Sequence, residues 1–167
     1  MLNEKNSRHQ HQNHEDYLIT AIAIGSVFIL IGIVFVINAN LPEQVIDFFK
    51  NLSTAKFPVD STTSTITLPA PANPADHGVL YTALTQFTLG IAILQIVILA
   101  LRLLWKSSTG RIAETVGNLV FWLGAGVLVN FVLAAGTIYS WFQFWGAFII
   151  VTGLSLVARA IVHFAKK

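Results

Sequence analysis

VGNLVFWLGAGVLVNFVLAAGTI (Val116–Ile138) is separated by Tyr139 and Ser140 alone from WFQFWGAFIIVTGLSLVARAIV (Trp141–Val162). A bilayer core ~30 Å thick is crossed by about 20 apolar residues at ~1.5 Å rise per residue. Each stretch meets that length. With so short a connection between them, the two spans must form an antiparallel hairpin. Tyr17–Ile37 and Val79–Leu104 are two further runs of spanning length. The expected fold is an all-α integral membrane protein, an antiparallel up-down four-transmembrane-helix bundle. Its spans fall at about 17–38, 79–104, 114–138 and 141–163, behind a polar tail over 1–16 and around a loop over 39–78.

Composition agrees with this reading. The chain is 54% hydrophobic and 11% charged, with a mean hydropathy of +0.68; soluble domains carry ~25% charged residues. The net charge of +2 does not point to nucleic acid, because the basic residues gather at span ends. There they suit lipid headgroups. The chain has no cysteine, which excludes disulfides, thiolate metal sites and dithiol redox chemistry. The first sixteen residues are polar with mixed charge, and the run behind them is of spanning length. Span one is therefore expected to act as an uncleaved insertion signal.

The distribution of Lys and Arg gives an orientation. Lys5, Arg8, Arg102, Lys106, Arg111, Arg159, Lys166 and Lys167 fall on one side of a four-span chain, and Lys50 and Lys56 on the other. The positive-inside rule then places both termini in the cytoplasm and the 39–78 loop outside, with the plasma membrane as the expected location. Tyr139 and Trp141 fit an outer aromatic belt and Trp105 an inner one.

In the outer loop, Asn40-Leu41-Pro42-Glu43 reads as a helix start with a capping Asn. Val45, Phe48, Phe49 and Leu52 follow at helical spacing. They predict an amphipathic helix over about 42–52, lying in the interface or capping the bundle. Residues 53–74 are rich in Ser, Thr, Pro and Ala and are expected to lack order without a partner. Asn51-Leu52-Ser53 is a glycosylation sequon.

Helices in lipid are held by close backbone approach and polar contacts. Small residues recur seven apart in every span: Gly25 and Gly32, Ala83 and Gly90, Gly117 and Gly124, Gly146 and Gly153. Gly117 and Gly124 are expected to face Gly146 and Gly153. Gln86 and Asn130 read as polar contacts between helices, and Trp122 as core.

Polar groups inside a bilayer are costly and call for a functional reading. Thr152, Ser155, Arg159 and His163 share one face of span four. Arg111, Glu114 and Asn118 do so on span three, and Thr88, Gln95 and Arg102 on span two. Convergence would build an inner polar cluster of Gln95, Arg102, Glu114, Asn118, Ser155, Arg159 and His163. A Glu114–Arg159 pair would cross the hairpin, leaving Arg102 for an anion such as a lipid phosphate. The alternative is that the arginines snorkel and the hydroxyls bond their own helices. His9, His11 and His14 form a tail cluster able to ligate a metal. There is no phosphate loop, no H-E-x-x-H and no span-embedded histidine pair for haem. An enzyme would have to be built from Glu114 and His163, and no cofactor is expected. The functional expectation is a non-catalytic accessory or assembly subunit, or a lipid-contacting module. Its partners would be the bilayer, anionic lipid, other membrane subunits or a second copy. The alternative is an oligomeric transporter or channel with a cytoplasm-facing polar vestibule.

Overall fold

The computed structural model of the chain describes residues 2–58 and 65–165, and side chains within 17–57 and 65–165. Its elements are α1 (Leu2–Ile37), α2 (Leu41–Lys50), β1 (Leu52–Pro58), β2 (Thr65–Pro71), α3 (Gly78–Leu104), α4 (Thr109–Phe131) and α5 (Ile138–Ala165). Single 3-10 turns lie at Pro74–His77 and Leu133–Ala135. Four helical stretches are long and apolar enough to cross a membrane: Tyr17–Ile37, Pro74–Leu104, Thr109–Ala135 and Ile138–Ala165. Large apolar side chains such as Phe28, Ile33, Ile93, Ile149 and Phe164 point outward, as a helix surrounded by acyl chains permits.

Residue pairings show the alternating direction of the helices. Leu30 of α1 meets Gly90 of α3, and just past the end of α1, Asn38 bonds Gln86. Thr88 and Leu89 of α3 meet Gly126 of α4, whereas Arg102 reaches Thr115. On the other flank of α4, Gly117 meets Ser155 and Arg159, and Gly124 meets Val151. The helices thus form an antiparallel row in the order α1, α3, α4, α5. At the end bearing β1 and β2 the row curls, and Phe144 of α5 joins Tyr81, Val129 and Leu133 in one core cluster.

Four features correct the sequence reading. Gly146 and Gly153 have nothing within 4 Å of where a Cβ would stand, and neither have Gly25 and Gly32. The surface facing Gly117 and Gly124 is Val151, Ser155 and Arg159 instead. A seven-residue spacing fixes a stripe along a helix but not the neighbour it faces.

The connection between α4 and α5 comes earlier than the apolar pattern suggests. Gly136, at φ 65°, turns the chain. The Ser140 amide then donates to Thr137 Oγ1 and the Thr137 amide to Ser140 Oγ, both at 3.0 Å. This reciprocal cap starts α5 at Ile138 and draws Tyr139 and Ser140 into the helix.

Asn40 makes no side-chain cap; at φ 60° it is the left-handed turn between α1 and α2. The helix that follows packs on the bundle, with Leu41 buried against Val34 and Ala83.

The Ser/Thr/Pro segment is an antiparallel hairpin, with Leu52 opposite Pro71 and Phe57 opposite Ile66. A two-stranded hairpin is marginal alone, and α5 supplies its support. The Trp141 Nε1–H donates to the Pro69 carbonyl at 3.1 Å, and Phe57 and Phe142 lie 4.9 Å apart between ring centres.

The glycine contacts give a direct test. A Cβ at Gly117 would stand 3.1 Å from the Ser155 carbonyl oxygen, and backbone cannot step aside as a flexible side chain can. Gly117→Leu should destabilise the protein by roughly 1–3 kcal/mol or more through overpacking, read as a lower Tm in lipid nanodiscs. Gly153→Leu should leave Tm within error. Equal losses would mean that α5 presents a different face to α4.

Candidate functional site

Two of the three predicted polar stripes converge. Gln95 and Arg102 of α3 meet Arg111, Glu114, Thr115 and Asn118 of α4 around a cleft of about 350 Å³. Its third wall is α1, through Ile19, Thr20, Ala23 and Ile24. The polar groups come from the last three turns of α3 and the first three of α4, so the tight turn at 105–108 holds them at one depth. Ile19, Ile98 and Ala23 place apolar surface directly beside them. Ile19 and Ile98 are themselves buried.

Arg102 forms the frame of this cleft. Its guanidinium Nη1 donates to Thr115 Oγ1 at 2.7 Å and to the Arg111 carbonyl. Thr115 Oγ1 in turn donates to the same carbonyl at 2.9 Å. The arginine therefore ties the end of α3 to the first turn of α4. This is a clamp and not simple snorkelling, and it engages the residue expected to meet an anion. Arg111, Glu114, Gln95, Asn118 and Thr20 complete the polar lining.

The third stripe goes elsewhere. Arg159 and His163 line a separate cavity of about 400 Å³ with Gly110, Ala113 and Ala160, on the α5 side of α4. Among the described residues no ion pair joins Glu114 to Arg159. On α4 the positions facing α5 are 110, 113, 117 and 124, and each step along a helix turns ~100°. Glu114 is thus carried round to the α1 side. Ser155 is buried and donates to the Thr152 carbonyl at 2.7 Å; Thr88, Thr115 and Thr152 likewise bond their own helices.

At the opposite end, Asn38 Nδ2 donates to Gln86 Oε1 at 2.7 Å and to the Val34 carbonyl at 2.8 Å. Gln86 therefore joins helices, whereas Asn130 is exposed on α4. Trp122 packs edge-on against Phe87 and Phe121. Asn51 is exposed at the close of α2. The side chains of His9, His11 and His14 lie outside the described residues, and no metal-binding cluster occurs among those described.

Asn38, His77 and Tyr81 escaped the sequence reading. Asn38 and His77 bound spans, where polar residues look unremarkable, and Tyr81 resembles a belt aromatic. Yet His77 is 1% exposed, and neither it nor the Tyr81 hydroxyl makes a hydrogen bond within the described residues.

No protein family, curated protein or solved structure matches this chain.

The clamp can be tested by a double-mutant cycle. Arg102→Gln should cost about 1–3 kcal/mol, the range for hydrogen bonds to a charged group. Thr115→Val should cost less, and the double mutant less than the sum, because the two share one bond. Arg102→Lys should not rescue, since an ammonium lacks the planar fork. Full rescue by Lys in a thermal melt would reduce Arg102 to a membrane-edge cation.

Proposed function

We propose that this is a non-catalytic, multi-pass membrane protein that contacts lipid, with the cleft between α1, α3 and α4 receiving the polar head of an anionic lipid. The observation that carries this reading is the make-up of the cleft. Arg102 and Arg111 against Glu114 leave it with a net positive charge, amid hydrogen-bonding Gln95 and Asn118. Apolar Ile19, Ala23, Ile24 and Ile98 border it at the same depth, as a ligand with a charged head and apolar body requires. Arginine suits phosphate through its paired, fixed donors.

The asymmetry of Lys and Arg along the sequence supports a cytoplasmic placement for this end and for both termini. A plasma-membrane location, whose cytoplasmic leaflet is anionic, fits the same charge pattern. The accessory role adds to this reading, with other membrane subunits or a second copy as partners. It is favoured by the end positions of α1 and α5 in the row, where Gly25, Gly32, Gly146 and Gly153 leave open surface. A conducting path through one copy finds less support. One turn beyond Asn118, rings of Phe87, Phe121, Trp122 and Phe148 pack edge-on against one another.

Lipid retention tests the proposal. Protein purified in mild detergent from membranes containing phosphatidylglycerol and phosphatidylcholine should retain the anionic lipid preferentially in native mass spectrometry. Arg111→Gln should lower that retention several-fold, and Glu114→Gln should raise it. No preference in the unmodified protein, or indifference to both changes, would refute the headgroup site.

A further inference from the structure

Arg159 and His163 lie one helical turn apart on α5, on the opposite side of α4 from the headgroup cleft. With Gly110 and Ala113 of α4 they line the cavity of about 400 Å³, and Leu156 and Phe164 add apolar wall. That volume is within the ~300–1,000 Å³ of small-molecule sites. Packing fixes the base of the arginine. A Cβ at Gly117 would stand 3.1 Å from the Arg159 Cβ, so this turn of α5 is held against α4. Gly110, two turns before Gly117, continues the same face of α4 to the cavity.

The polar groups offered here are donors without a counter-charge. Arg102 is committed to Thr115 and the Arg111 carbonyl, whereas Arg159 makes no ion pair or hydrogen bond among the described residues. His163 packs edge-on against Phe164 at 6.2 Å between ring centres, and an imidazole offers an N–H in either protonation state. The Ser108 side chain does not cap α4, so the first-turn amides, that of Gly110 included, have no acceptor within the helix. Among the described residues no carboxylate lines the cavity; Glu114 lines the other cleft.

A guanidinium fork, an imidazole and a helix-terminal amide together suit an anion rich in acceptors. A terminal phosphate presents three strong acceptor oxygens and a second negative charge; a phosphodiester has fewer free oxygens and a single charge. The apolar wall beside these donors calls for a phosphate that heads an apolar body. We propose that this cavity binds the terminal phosphate of a phosphomonoester lipid. Arg159 supplies paired donors to the phosphate, His163 and the α4 amides supply the others, and an acyl chain lies against Leu156 and Phe164. The site is separate from the headgroup cleft, shares no lining residue with it, and stands without it.

The test uses the full-length protein in phosphatidylcholine nanodiscs doped with phosphatidic acid carrying a photoreactive diazirine in one acyl chain. Labelling should concentrate on the α5 peptide containing Leu156 and Phe164. Unlabelled phosphatidic acid should suppress it at about three- to tenfold lower mole fraction than phosphatidylglycerol, a diester, the span of one net hydrogen bond. Arg159→Gln keeps the Cβ that meets Gly117, and it should lower labelling by about the same factor, as should His163→Phe. Gly110→Leu, with open space around its Cβ, should block labelling without lowering Tm. Equal competition by the two lipids in the unmodified protein would overturn the proposal whatever the variants do. So would labelling spread evenly over all lipid-facing helices. Displacement of the probe by inorganic phosphate alone would make this a free-anion site and overturn the lipid assignment. Arg111→Gln should leave the α5 labelling unchanged, so failure of the headgroup cleft and failure of this site can be told apart. A matching loss in Arg111→Gln would place the probe in the cleft and refute the separate site.

Discussion

The close approach of α4 to both of its neighbours is the constraint from which the rest of the structure follows. Helices in lipid gain little from hiding apolar side chains, because acyl chains are equally apolar; contact has to come from backbones that can meet. Gly117 and Gly124 admit α5, and Gly126 admits Thr88 and Leu89 of α3. Once two sides of α4 are committed in this way, the remaining side carries Glu114 and Asn118 toward α1. The polar cleft is thus a consequence of how the glycines are distributed around one helix.

The two ends of the row are finished by different chemistry. At the 105–108 turn, Arg102 spans from one helix to the first turn of the next, holding the polar lining at fixed depth. At the hairpin end the connection is made by aromatic packing. Phe48 meets Trp141 at 5.9 Å and His77 at 5.1 Å, and Trp141 holds the Pro69 carbonyl. One end therefore presents charge beside apolar surface, and the other presents an apolar hollow beside two buried polar groups. The first combination matches the boundary between a lipid headgroup and its acyl chains, which supports the proposed reading of the protein as a module that works through lipid contact.

Much of the architecture was legible because spanning length is a property of composition alone. The four runs, their antiparallel order and the amphipathic helix after Asn40 could all be read without tertiary knowledge. Facing could not. Gly146 and Gly153 share the spacing of Gly117 and Gly124, yet lie on the open side of α5. Glu114 and Arg159 share a depth but are turned to opposite sides of α4. The hairpin was hidden because Ser, Thr and Pro suggest disorder, while its order depends on Phe142 and Trp141, more than seventy residues away from their partners in part. Convergence of Gln95, Arg102, Glu114 and Asn118 was foreseeable from their stripes, whereas the clamp on Thr115 needed the turn geometry.

The central claim is that α1 attaches to α3 through its Leu30 face, leaving its glycines outward and its first spanning turns as the wall of the cleft. A chain without cysteine allows this to be tested by paired substitution and oxidation in native membranes. A disulfide needs Cα atoms within about 7 Å and converging Cβ vectors. Leu30→Cys combined with Gly90→Cys should cross-link rapidly, because a Cβ at Gly90 would touch the Leu30 side chain. Gly32→Cys with Gly90→Cys should remain reduced. Cross-linking through Gly32 in place of Leu30 would contradict the account, since α1 would then be rotated and the cleft would lose its third wall.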